Sequence, residues 1–111
     1  MARPKKTIKI TILGSKWKVR FWSGTQYDRH VDDSSLAICH VTDKIVDFDI
    51  DEITHNTIAH ELTHCYISQM SFVELQLTEM QIEEAFCELM GNHGRAIIAL
   101  SDAILDEALA L

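Results

Sequence analysis

The sequence predicts an α+β fold in which a small antiparallel or mixed sheet of about four strands is followed by two helices. Up to about residue 50, apolar and polar residues alternate with the period of a strand, and after it they recur with the period of a helix. The chain has 111 residues, 47 % of them hydrophobic, with one proline and four glycines. This composition predicts one globular domain spanning 1–111.

A first hairpin is predicted near the beginning of the chain. Residues 7–12 and 17–21 alternate polar and apolar, and Leu13, Gly14 and Ser15 between them are typical of a turn. The side chains expected to face the core are those of Ile8, Ile10, Ile12, Trp17, Val19 and Phe21. The polar segment 23–35 is predicted to be a loop.

A second hairpin is predicted from the apolar runs 36–41 and 44–50, with Thr42 and Asp43 as the connection. Asp47, Asp49 and Asp51 alternate along one side of the second run. Because charged side chains in a strand are typical of a solvated edge, we expect residues 44–50 to form an exposed or edge strand.

Two helices are predicted to follow. The first begins at Asp51 or Thr54, has Ile58, Leu62 and Tyr66 on its core side, and ends near residues 69–71. The second runs from about 78 to 110, with an interruption at 91–94 as an open alternative. One face of this long helix is expected to pack on the first helix, and it carries Ile82, Phe86, Leu89, His93, Ala96, Ile97 and Leu100.

Charge and cysteine content restrict the function further. The net charge is −7, but residues 1–20 carry seven basic side chains and no acidic one, so the rest sums to −14. We expect the basic face to be solvated and nucleic-acid binding to be unlikely as a function. Cys39, Cys65 and Cys87 resemble no disulfide framework and are expected to be buried free thiols of a cytoplasmic protein. Without a long apolar stretch, no membrane partner is expected.

The strongest functional motif is His60-Glu61-Leu62-Thr63-His64. On a helix, this spacing places two imidazoles on one face, four residues apart, which is a zinc-chelating arrangement. Glu61 would project toward the open position of the metal, where a carboxylate can accept a proton from water. The predicted cofactor is therefore Zn²⁺, with His60 and His64 as ligands and Glu61 as catalytic base.

A catalytic zinc site usually needs a third protein ligand, and the last helix offers Glu83 and Glu84. Glu83 falls at the margin of the apolar face of that helix, whereas Glu84 falls on the opposite face. We therefore predict Glu83 as the third ligand.

The motif followed by a glutamate on a later helix resembles the gluzincin class of zinc metallopeptidases. It also resembles minimal gluzincins and the small metallopeptidase-like proteins that are common in phage genomes and in the ImmA/IrrE group. The similarity covers about residues 36–98, and the histidine motif is its one specific element. In gluzincins an acidic residue often follows the ligand glutamate by four positions. Here the residue four positions after Glu83 is Cys87, and the residue four positions after Glu84 is Glu88. Both glutamates therefore remain candidates for the third ligand. The residues after His64 lack the third histidine of metzincins.

The resemblance implies zinc-assisted hydrolysis of a peptide or protein substrate, held along the strand 44–50. An oxyanion partner is expected among Tyr66, His93, Tyr27 and His30, although Tyr66 and His93 fit the core better. The alternative function is a catalytically silent, metal-stabilised binding or regulatory module of phage or mobile-element origin. The apolar end of the chain, residues 96–111, is compatible with a monomer or a weak dimer.

Overall fold

The computed structural model describes residues 3–24, 27, 37–70 and 77–111, which form a four-stranded mixed sheet and two helices. This arrangement confirms the predicted α+β class and the order of its elements. The predicted loop at 23–35 lies mostly outside the described residues. The strands are β1 (Lys6–Ile12), β2 (Ser15–Trp22), β3 (Ala37–His40) and β4 (Ile45–Asp49), and the helices are α1 (His55–Gln69) and α2 (Glu79–Leu109).

The first hairpin has the predicted form. β1 and β2 pair antiparallel as far as Ile12 opposite Ser15, and the two residues between them have φ of 48° at Leu13 and 83° at Gly14. Two successive positive φ angles are the geometry of a tight hairpin turn whose twist matches the strands. The predicted core side chains are confirmed: Ile8 is half-buried, and those of Ile10, Ile12, Trp17, Val19 and Phe21 are buried.

The prediction that residues 44–50 form an exposed or edge strand is wrong. The strand order is β1-β2-β4-β3, so β4 lies inside the sheet, parallel to β2 and antiparallel to β3. Asp47 on β4 has no exposed surface because Arg20 and His40 pair with its carboxylate from the two neighbouring strands. Asp47 therefore belongs to a buried ionic cluster inside the sheet, whereas Asp51, beyond the end of β4, is exposed.

Helix α1 begins where the sequence predicts. Thr54 is its N-cap, and the Thr54 side chain accepts a hydrogen bond from the backbone N–H of Thr57. The predicted core residues Ile58, Leu62 and Tyr66 are all buried. They pack with the inner sheet residues Val19, Phe21, Val46 and Phe48 in one hydrophobic cluster, so the sheet and the side of α1 opposite the histidines together form the core.

Helix α2 is continuous through residues 91–94, and Thr78 caps it in a capping box with Gln81. The predicted apolar face is only partly correct: Leu89 and Ile97 are buried and His93 and Leu100 half-buried, but Ile82, Phe86 and Ala96 are exposed. The two helices differ in length, with 15 residues in α1 and 31 in α2. The first turns of α2 therefore extend past the end of α1. Neither helix of the described chain is long and apolar enough to span a bilayer.

Candidate metal centre

The rings of His60 and His64 converge on one side of α1. Their Nε2 atoms lie 3.2 Å apart, and the ring centroids are 4.9 Å apart with planes inclined by 78°. Both residues are exposed, in the middle of a regular helix whose four-residue spacing holds the two rings on one face. The predicted pairing of these two histidines is therefore present in the structure.

The separation of the two nitrogens matches the geometry of a zinc ligand pair. Tetrahedral zinc with Zn–N bonds of about 2.0 to 2.1 Å needs its two nitrogen ligands about 3.3 Å apart. The observed Nε2 to Nε2 distance is 3.2 Å. The distance between the two Nε2 atoms is therefore compatible with a zinc ligand pair, and it is also that of a hydrogen bond between the rings.

Glu61 completes a compact cluster with the histidines. The side-chain ligand atoms of His60, Glu61 and His64 all lie within 4.8 Å of one another. Glu61 is only 7 % exposed, and its Oε2 atom is buried without a hydrogen-bond partner in the described residues. Burial raises the pKa of the Glu61 carboxyl, against the opposing electrostatic effect of the neighbouring His64 and His60 side chains.

The structure does not bring Glu83 to this cluster. Antiparallel packing of the helices places Tyr66 against His93, and His55 hydrogen-bonds Asp102, so His64 lies level with about residue 94 of α2. Eleven residues separate position 94 from Glu83, which corresponds to about 16 Å along the helix axis. Glu83 and Glu84 are both exposed on the projecting turns of α2. The third ligand stays a prediction.

The expected oxyanion partners are divided between the helix interface, the sheet and the segment outside the described residues. Tyr66 is buried with its ring centroid 5.3 Å from that of His93, so both belong to the helix interface. Tyr27 packs with Trp22 and Ile38 on the sheet face that does not carry the main core. His30 is outside the described residues. The oxyanion partner stays a prediction.

Two cysteine side chains beside the histidine motif are in contact, which the sequence did not predict. Cys65 follows His64 and is buried, and its Sγ lies 3.5 Å from Sγ of Cys39, which is half-buried on β3. The sequence contains no signal for this contact because 26 positions separate the two residues. The prediction of a buried thiol is wrong for Cys87, which is exposed because it belongs to the projecting part of α2.

The position of the sheet edge also changes the expected substrate site. β4 is interior, so the predicted strand addition along residues 44–50 is not available. Among the described strands, β3 forms that edge of the sheet, and it contacts α1.

Comparison of the chain with protein-family models, with curated proteins and with solved structures found no match.

Proposed function

We propose that this chain is a zinc-dependent metallopeptidase of gluzincin type, in which His60 and His64 bind Zn²⁺ and Glu61 is the general base. One observation supports the proposal most: the two imidazoles, whose Nε2 atoms are 3.2 Å apart, have ligand atoms within 4.8 Å of a carboxylate oxygen of Glu61, which is only 7 % exposed. A surface pair of histidines would not need a buried acidic neighbour, whereas a hydrolytic site does.

The chemistry divides between the metal and the protein. Zinc, when bound, would supply Lewis-acid chemistry by polarising the scissile carbonyl and acidifying water. His60 and His64 hold the metal position through their Nε2 atoms. Glu61 accepts a proton from water at a carboxylate oxygen and passes it to the leaving amine nitrogen.

The proposed third ligand is Glu83, with Glu84 as the alternative. Either residue would reach the histidines only if the first turns of α2 left the continuous helix and folded back, because the helix rise places Glu83 about 16 Å away along its axis. These turns have few core contacts, since Ile82 and Phe86 are 43 % and 52 % exposed. A movement of this segment would therefore break little packing.

The proposed substrate is a peptide or protein of the cytoplasm. It would pair with β3, which is an edge strand among the described strands and lies beside α1. The proposed oligomeric state is a monomer or a weak dimer.

The experiment that tests the proposal combines metal analysis with cleavage of a peptide library. Wild-type protein is expected to bind one zinc ion and to cleave. Glu61→Gln is expected to keep zinc and to lose cleavage by a factor of at least about 100, the typical contribution of a general base. Glu52→Gln, which neutralises an exposed glutamate, is the matched control and should keep both properties. Cleavage that survives in Glu61→Gln would refute the assignment of the base.

Further variants identify the other ligands. His64→Ala should lose both zinc and cleavage. Of Glu83→Ala and Glu84→Ala, the variant that loses zinc names the third ligand, and zinc retention in both would exclude the three-ligand arrangement.

A second candidate function is a metal-stabilised binding or regulatory module without turnover. The exposed histidines and their distance from Glu83 favour it, because two ligands bind a metal but leave its other positions to water or a partner. This candidate predicts bound zinc and a zinc-dependent increase in melting temperature, with no cleavage of any peptide by the wild-type protein.

A further inference from the structure

A pocket separate from the histidine motif lies at the beginning of β2, and none of its lining residues belongs to α1. Its volume is about 420 Å³, which is within the range of pockets for small ligands. Four lysines line it together with one acidic and two apolar residues: Lys9, Lys16, Trp17, Lys18, Asp43, Lys44 and Ile45. The lining carries a formal charge of +3, although the whole chain carries −7.

The lysines are held close together by the sheet. Lys9 and Lys18 are directly opposite each other in the β1–β2 pair, and Lys16 is two residues before Lys18 on the same face. The backbone N–H of Lys18 donates a hydrogen bond of 3.0 Å to the carbonyl of Lys44, which places the turn before β4 beside them. Like charges directly opposite in a sheet are destabilising.

These ammonium groups have no carboxylate partner in the part of the chain that the structure describes. The ion pair of a lysine found there joins Lys6 to Glu107, outside the pocket. Asp43 lines the pocket but forms no ion pair within 4 Å with the four lysines. A bound anion would relieve the repulsion between the lysines and satisfy several ammonium donors together.

We infer that this pocket binds a small anion that carries two or more linked phosphate groups. Lysine is a common point-charge ligand of phosphate, and four lysines that line one concavity match an anion of several charges better than an anion of one charge. The net charge of −7 disfavours a long polyanion, whose further phosphates would meet the acidic remainder of the chain. A short polyphosphate, free or as part of a nucleotide, has the chemistry and size that the pocket accepts.

Isothermal titration of the full chain with inorganic triphosphate tests this inference. Wild-type protein is expected to bind triphosphate more tightly than orthophosphate. Lys9→Gln/Lys18→Gln should weaken triphosphate binding by at least about tenfold. The matched control is Arg3→Gln/Lys5→Gln, which removes the same charge from exposed residues outside the pocket and should change the Kd by less than about twofold.

Three results would overturn the inference: no binding of triphosphate at millimolar concentration, equal weakening in the pocket and control variants, or tighter binding of a short duplex DNA than of triphosphate. Circular dichroism checks the fold of each variant, and Lys16→Gln/Lys44→Gln is a second pocket variant should the first not fold. All readouts are independent of zinc binding and of cleavage.

Discussion

Asp47 provides the sharpest test of how this fold is stabilised. Its side chain is fully buried, and its carboxylate accepts hydrogen bonds from Arg20 Nε at 2.6 Å, Arg20 Nη2 at 2.8 Å and Trp22 Nε1 at 2.8 Å. His40 Nε2 lies 2.8 Å from Oδ2 of Asp47, the oxygen that also accepts the hydrogen bond from Arg20 Nη2. We predict that Asp47→Asn, which keeps the shape and removes the charge, lowers the free energy of unfolding strongly.

The expected magnitude follows from what the substitution leaves behind. Breaking a buried ion pair by removing one partner typically costs about 3 to 5 kcal/mol. The side chain of Arg20 is 24 % exposed and recovers part of its hydration, so we expect a loss near the lower limit, about 3 kcal/mol. Urea unfolding followed by circular dichroism at neutral pH measures it. Asp106→Asn, at an exposed position of α2, should stay within about 0.5 kcal/mol of wild type.

The same substitution should change the response to acid. Burial by itself raises the pKa of Asp47, but the hydrogen bonds from Arg20, Trp22 and His40 and the charge of Arg20 outweigh it and hold the pKa below its usual value. A group with a lowered folded-state pKa stabilises the protein above its unfolded pKa of about 3.9, and this stabilisation disappears as the pH falls through the folded value. The difference between wild type and Asp47→Asn should therefore shrink below about pH 4. A difference under about 1 kcal/mol at neutral pH, or one that does not change with acid, would refute this reasoning.

Three further predictions concern other parts of the molecule. Leu89→Ala should destabilise the protein by about 2 to 5 kcal/mol because Leu89 is 1 % exposed. Phe86→Ser, on the projecting turns of α2, should cost less than about 1 kcal/mol in the same urea assay. Equal losses of stability in the two variants would contradict the observed length of α2 beyond α1. Oxidation by a low-molecular-weight disulfide should join Cys39 and Cys65, whose Sγ atoms are 3.5 Å apart, with release of two small thiols. Peptide mapping by mass spectrometry should detect the Cys39–Cys65 disulfide. Two unlinked thiols after full oxidant treatment would count against this prediction. Leu13→Asn should stabilise the protein by about 0.5 to 1 kcal/mol because Leu13 has φ of 48° in the hairpin turn, a conformation that asparagine tolerates better than leucine. Thermal unfolding measures the gain in stability, and a melting temperature below that of wild type would disprove the prediction.

The local elements could be predicted because their causes are local. The alternation of residues 7–12 and 17–21 predicts the first hairpin and its buried side, and Thr54 and Thr78 are polar caps at the helix starts. The pairing of His60 with His64 also follows from the sequence, since a helix alone places residues four apart together.

What the sequence by itself determined is therefore every feature that depends on a few neighbouring residues: strand faces, helix starts and the histidine pair. Only the tertiary structure decided that β4 lies inside the sheet, that Cys39 meets Cys65, and that Glu83 projects past the end of α1. These features depend on contacts between distant segments and on the relative lengths of two helices. Such contacts are selected by the packing of the whole core, which no local pattern encodes.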